Sequence, residues 1–105
     1  MDDIISLLKR VGLPYAYTHF AKGEAPKPPY ICLIESASDN FSADGRAYAK
    51  ISEFHIELYT DVKDPTTEQK LEAELDALSI FYNKQETYIE SENLYQVLYI
   101  FERKV

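Results

Sequence analysis

Ile4, Leu7, Leu8 and Val11 recur at i, i+3, i+4 and i+7, the spacing of one face of a helix. Asp2 or Asp3 can cap its start with favourable charge, and Gly12 followed by Pro14 stops it, so the pattern predicts a short amphipathic helix over about 3–11. From Tyr15 to Phe20 two parities alternate, with Tyr15, Tyr17 and His19 on one and Ala16, Thr18 and Phe20 on the other, which predicts a short edge strand. Gly23, Pro26, Pro28 and Pro29 then bar helix and interior strand alike, leaving an extended connection over 22–29. The near-continuous apolar run Tyr30 to Glu35 predicts a strand covered on both faces or at the sheet centre.

Ser36 to Arg46 is dense in turn formers and is expected to be the longest polar loop, with Phe41 as an exposed aromatic. No breaker interrupts Ala47 to Thr60, where Phe54, Ile56 and Leu58 alternate with Glu53, His55, Glu57 and Tyr59: a long strand with one wet face. Ala49 and Ile51 fall on the other parity from Phe54, so a bulge or a change of partner face is expected near Ser52 and Glu53. Asp64-Pro65 is an N-cap with proline at the first helical position, and Leu71, Leu75 and Leu78 follow at helical spacing, predicting a second helix over about 65–78. Its acids Glu68, Glu72, Glu74 and Asp76, with Lys70 among them, read as a solvated outer face. Ser91-Glu92-Asn93 divides the Tyr-, Ile- and Val-rich tail, 81–103, into the two arms of a hairpin, with Leu94 to Phe101 inside the sheet.

Together these elements predict an α+β fold in the order α-β-β-β-α-β-β. Four to five mostly antiparallel strands form its sheet, and both helices pack on one face. At 105 residues the chain is expected to be one domain, 1–105, since division would leave neither half an adequate core. An apolar share of 46% with 28% charged residues is the balance of a folded globule rather than a disordered chain.

Charge and cysteine narrow the function classes. Eleven Lys and Arg stand against eighteen Asp and Glu, a net charge of -7, which disfavours a partner held through phosphates; no nucleic-acid ligand is expected. Cys32 is the sole cysteine and sits in an apolar run, so no intrachain disulfide can form, and a reducing compartment fits. The acidic start and the lack of an apolar stretch near the roughly 20 residues that span a bilayer predict neither a secretory signal nor a membrane segment. Nine Tyr without a Trp suit both small sheets and protein interfaces, because the ring packs while the hydroxyl stays wet.

Catalytic signatures are scarce. His19 and His55 have no Cys or acid at the spacing of a zinc motif, no glycine cluster could cradle phosphate, and burial of Cys32 would suppress its thiolate. Glu53, His55 and Glu57 point the same way along their strand and could form a general-base or divalent-metal site; a solvated strand face explains them as well. No catalytic residue, cofactor or metal is therefore assigned. The remaining features, many Tyr, long strands and a polar loop bearing Phe41, are those of association.

Several phrases resemble the small tail-completion, or tail terminator, proteins of phages and prophages of Gram-positive bacteria. They are Leu13-Pro14-Tyr15-Ala16-Tyr17 through His19-Phe20, Ala25-Pro26 through Pro28-Pro29-Tyr30, and Asn40-Phe41 with Ala43-Asp44. Glu57-Leu58-Tyr59-Thr60 through Lys63-Asp64-Pro65, and Glu86-Thr87-Tyr88-Ile89-Glu90-Ser91-Glu92 leading into Tyr95-Gln96, extend the likeness over nearly the whole chain. The resemblance implies a ring, typically hexameric, that caps the tail tube and docks to the head. Its partners would be copies of itself, the tail tube protein and a head connector; it would assemble in the cytoplasm of the bacterial host and remain in the virion. Contacts are expected at Asp39, Asn40, Phe41 and Arg46 of the polar loop and at Asp61 and Lys63 before the second helix. Two rival classes are an acidic DNA mimic acting as decoy for a host enzyme, and a small enzyme built on Glu53, His55 and Glu57.

Overall fold

The computed structural model describes residues 2–43 and 46–104, and their side chains except those of 37–43, 46–50 and 104. The elements are α1 (Asp2–Val11), β1 (Tyr15–Tyr17), β2 (Tyr30–Ala43), β3 (Arg46–Thr60), α2 (Pro65–Ala77), β4 (Asn83–Ile89) and β5 (Leu94–Lys104). They form an α+β fold with one five-stranded mixed sheet, in the order β1-β2-β3-β5-β4, and both helices on one face. The helix limits agree with the sequence pattern because the local signals operate. Gly12, at φ +84, ends α1 and its N–H bonds the Leu8 carbonyl. The Asp64 carboxylate accepts from the Thr67 N–H at 3.2 Å and from the Thr67 hydroxyl at 2.6 Å.

Alternation along the strands decides which face is core. Phe54, Ile56 and Leu58 of β3, Ile31 and Leu33 of β2, and Val97, Tyr99 and Phe101 of β5 all meet the helices, against Ile4, Leu7 and Leu8 of α1 and Leu71 and Leu75 of α2. The opposite parity of β3, namely Glu53, His55, Glu57 and Tyr59, lies on the other face and is half-buried.

β1 stops at Tyr17, three residues short of the predicted strand end at Phe20. Thr18 turns the chain off the sheet at φ +73 while its N–H still bonds the Leu33 carbonyl at 2.6 Å. β1 runs parallel to β2. Two parallel neighbours need a crossover of about a dozen residues, and the proline-rich stretch 18–29 supplies it. Its Phe20 ring packs edge-on against Tyr30, 5.4 Å between centroids, which puts this crossover on the face away from the helices. Cys32 is buried beneath it, so the first residues of β2 are covered on both sides as their sequence requires.

The predicted polar loop over 36–46 is corrected: β2 runs on to Ala43 and β3 begins at Arg46, so the segment is mostly strand. Ser and Asn disfavour a strand only weakly, and here ladder bonds to β3 carry the segment. The phase change expected near Ser52 and Glu53 is real, but the extra residue lies in the partner. Ser36 and Ala37 of β2 stand opposite Glu53 alone, between the pairs Glu35 with Phe54 and Ser38 with Ser52. β3 itself keeps unbroken register with β5 from Ile51 to Thr60.

Candidate functional site

The bulge marks where one sheet becomes a two-stranded arm. β1 reaches only Leu33 of β2, and β5 reaches only Ile51 of β3. Beyond them, Ser38 to Ala43 and Arg46 to Lys50 pair only with each other among the described residues. Both outer ladder edges of this arm are therefore open, which is the arrangement that invites pairing or packing with another chain. The arm also accounts for the elongated shape, 50 × 30 × 21 Å.

Four of the six expected contact residues, Asp39, Asn40, Phe41 and Arg46, belong to this arm: Asp39 pairs with Ile51, Asn40 with Lys50, Phe41 with Ala49 and Arg46 with Ala43. The expectation that Phe41 is exposed concerns a side chain outside those described. Asp61 and Lys63 follow the far end of β3, roughly 30 to 50 Å along the strand from the other four, so the six do not form one patch. Asp61 is exposed. Lys63 is occupied within the chain: its ammonium lies 2.6 Å from Glu68 Oε2 and bonds Glu86 as well.

That lysine belongs to a cluster which corrects the solvated reading for Glu68 and Glu72, while Asp76 and Lys70 are exposed as expected. Glu68 is only 3% exposed, gripped by Lys63 and, at 2.8 Å, by Lys84. Lys84 also reaches Glu72 Oε2 at 2.7 Å, and the buried Tyr99 hydroxyl donates to the same oxygen at 2.7 Å. Burial works against the Glu68 charge, yet the two lysine ammoniums outweigh it and hold its carboxyl below the usual value. Burial and the neighbouring Glu72 push the Tyr99 phenol far up, so it remains a donor. The sequence did contain the signal: Glu68 stands three residues before Leu71 and seven before Leu75, on the helix face that enters the core. Glu74 does lie outward, where it pairs with Arg10 of α1 at 2.6 Å.

On the opposite sheet face Glu53, His55 and Glu57 do not converge. Glu53 accepts from the Ser36 hydroxyl at 2.9 Å and faces His55 Nε2 at 3.2 Å; these two bonds lower its carboxyl pKa. Glu57 turns instead to the Tyr59 hydroxyl, which donates to it at 3.0 Å. Among the described residues no three His, Cys, Asp or Glu side chains are grouped so as to hold a metal ion. Burial, and then the Glu57 charge, push the Cys32 thiol up, away from a reactive thiolate.

Two further features carried no sign in the sequence. Phe81, expected inside a strand, precedes β4 and is 97% exposed. It borders a groove of about 430 Å³ lined also by Ile80, Asn83 and the end of β5 from Ile100 to Arg103. β4 stops opposite Ile100, which leaves the last residues of β5 unpaired on that side among the described residues. A second cavity, of about 200 Å³, lies where the 18–29 crossover meets Tyr30, Tyr59, Glu57 and Glu92.

No family model matches this chain, and no curated protein does. Among solved structures it is similar to a chain of the virion of a native gene transfer agent particle. The TM-score is 0.57 at 18% identity, over 94% of this chain and 83% of that one. At this identity the likeness is one of fold.

Proposed function

We propose that this chain is a structural protein of a phage-like particle that caps the tail tube and joins tail to head. In this reading it closes into a ring of its own copies, with the tail tube protein on one side and a head connector on the other. It assembles in the cytoplasm of the bacterial host and stays in the virion. Its mechanism is steric: the ring ends tube polymerisation by covering the last subunits, with no catalysis and no cofactor.

The observation that carries the proposal is the arm, whose strands past Leu33 and Ile51 pair only with each other among the described residues. Ring contacts are heterologous patches that close by rotation, and an open ladder edge projecting from a small sheet is a patch of that kind. The shared fold with a gene transfer agent virion chain supports the coarser part of the reading, a virion structural protein.

The test is electron microscopy of particles made when the carrying phage or prophage encodes a chain with 39–49 replaced by a short Gly-Ser turn. Because β2 and β3 remain paired from Tyr30 to Glu35 with Tyr59 to Phe54, the shortened protein keeps its core. Over-long tails, or tails detached from filled heads, are expected. Normal infectious particles would reject the proposal.

A further inference from the structure

The cavity beneath the 18–29 crossover is built of aromatic rings and carboxylates, and its charge is unbalanced. Tyr30 and Tyr59 stack at 5.1 Å with 24° between their planes, and Phe20 meets Tyr30 edge-on. Glu57 and Glu92 line the same space of about 200 Å³ together with His19 and Cys32, and no ion pair joins His19 to either carboxylate among the described residues. The Tyr59 ring is held: its hydroxyl accepts from Gln96 Nε2 at 2.9 Å and donates to Glu57 Oε1. Each of the acids Asp3, Glu68, Glu72, Glu74 and Glu86 is paired with a Lys or Arg of this chain. Neither Glu57 nor Glu92 meets a cation among the described residues.

We infer that this cavity receives an arginine side chain of a partner protein. Aromatic faces attract a cation through the ring quadrupole, and carboxylates beside them add Coulombic attraction in a partly dry site. A guanidinium suits this geometry better than an ammonium. It is planar, it stacks on a ring while its edge N–H groups reach a carboxylate, and it gives up hydration more readily. The volume admits one such side chain and not a folded element. The inference goes beyond the ring proposal and stands without it, because it concerns a face away from the arm.

The test is an NMR titration of the full chain at neutral pH with N-acetyl-arginine methylamide, and in parallel with the matching citrulline and lysine compounds. Saturable shifts at Phe20, Tyr30 and Tyr59 are expected with arginine, with affinity about tenfold lower for the uncharged citrulline. A Glu57→Gln, Glu92→Gln double variant should lose about tenfold in arginine affinity while its other resonances stay in place. Absence of saturable shifts, or equal binding of citrulline, would overturn the inference. Tighter binding of lysine would overturn the guanidinium assignment. The chain shortened in its arm, titrated in the same way, would give the same shifts, so failure of one proposal is distinguishable from failure of the other.

Discussion

The two faces of the sheet each carry carboxylates beside a tyrosine, and they treat them differently. On the helix face, Glu68 and Glu72 sit with Tyr99 between Lys63 and Lys84, and every charge has its counter-charge inside the chain. On the other face, Glu57 and Glu92 sit with Tyr59, Tyr30 and His19 around an open cavity, and the donor that Glu57 meets is the neutral Tyr59 hydroxyl. Burial explains the difference. A carboxylate as enclosed as Glu68 must be neutralised by the fold itself, whereas one at a cavity mouth can be left for water or a partner. Internal pairing therefore reads as structural, and its absence beside aromatic walls reads as a place for something else.

The comparison breaks most visibly at Glu68. Glu68→Ala removes the carboxylate that Lys63 and Lys84 share, leaving Lys63 with Glu86 and Lys84 with Glu72, and it should cost about 2 kcal/mol in urea unfolding. Its pH dependence has a definite sign. The folded carboxyl has a lowered pKa, so the folded chain binds fewer protons than the unfolded one in mild acid, and protonation favours unfolding. The contribution is complete above the ordinary value of 4.5 and is lost as pH falls through the lowered folded value. Glu68→Gln should flatten that limb of the stability profile, and an unchanged limb would refute the assignment.

Tyr99→Phe is the intermediate case, since it removes one hydroxyl from Glu72 while Lys84 still pairs that oxygen; a loss of about 1 kcal/mol is expected by the same measurement. The smallest effect belongs to the other face. Glu57→Gln and Glu92→Gln should each change stability by no more than about 0.5 kcal/mol, although together they remove the charge of the cavity. A loss comparable to that of Glu68→Ala would show that the two faces are not different in kind.

Much of the fold was legible because its signals are local. The Asp64-Pro65 cap, the Gly12 stop, the α1 heptad-like spacing and the Ser91-Glu92-Asn93 turn each act within a few residues, and each element lies where they put it. The arm was misread because Ser36 to Arg46 has the composition of a loop, and only pairing with β3 makes it strand. Glu68 was misread for another reason. Its parity with Leu71 and Leu75 was visible, but the two lysines that make its burial tolerable come from the segment before α2 and from β4. The six expected contact residues stand at opposite ends of β3, a separation that the strand predicted over 47–60 already carried.

The sequence by itself determined both helices, the strands of the central sheet and the face each turns to the core, because periodicity and caps depend only on neighbours along the chain. Tertiary structure alone decided which acids would be neutralised and which left open, and where the sheet would end and the arm begin. Those outcomes depend on charges and ladder edges that meet across strands far apart in sequence, such as Tyr99 with Glu72 and Tyr30 with Tyr59.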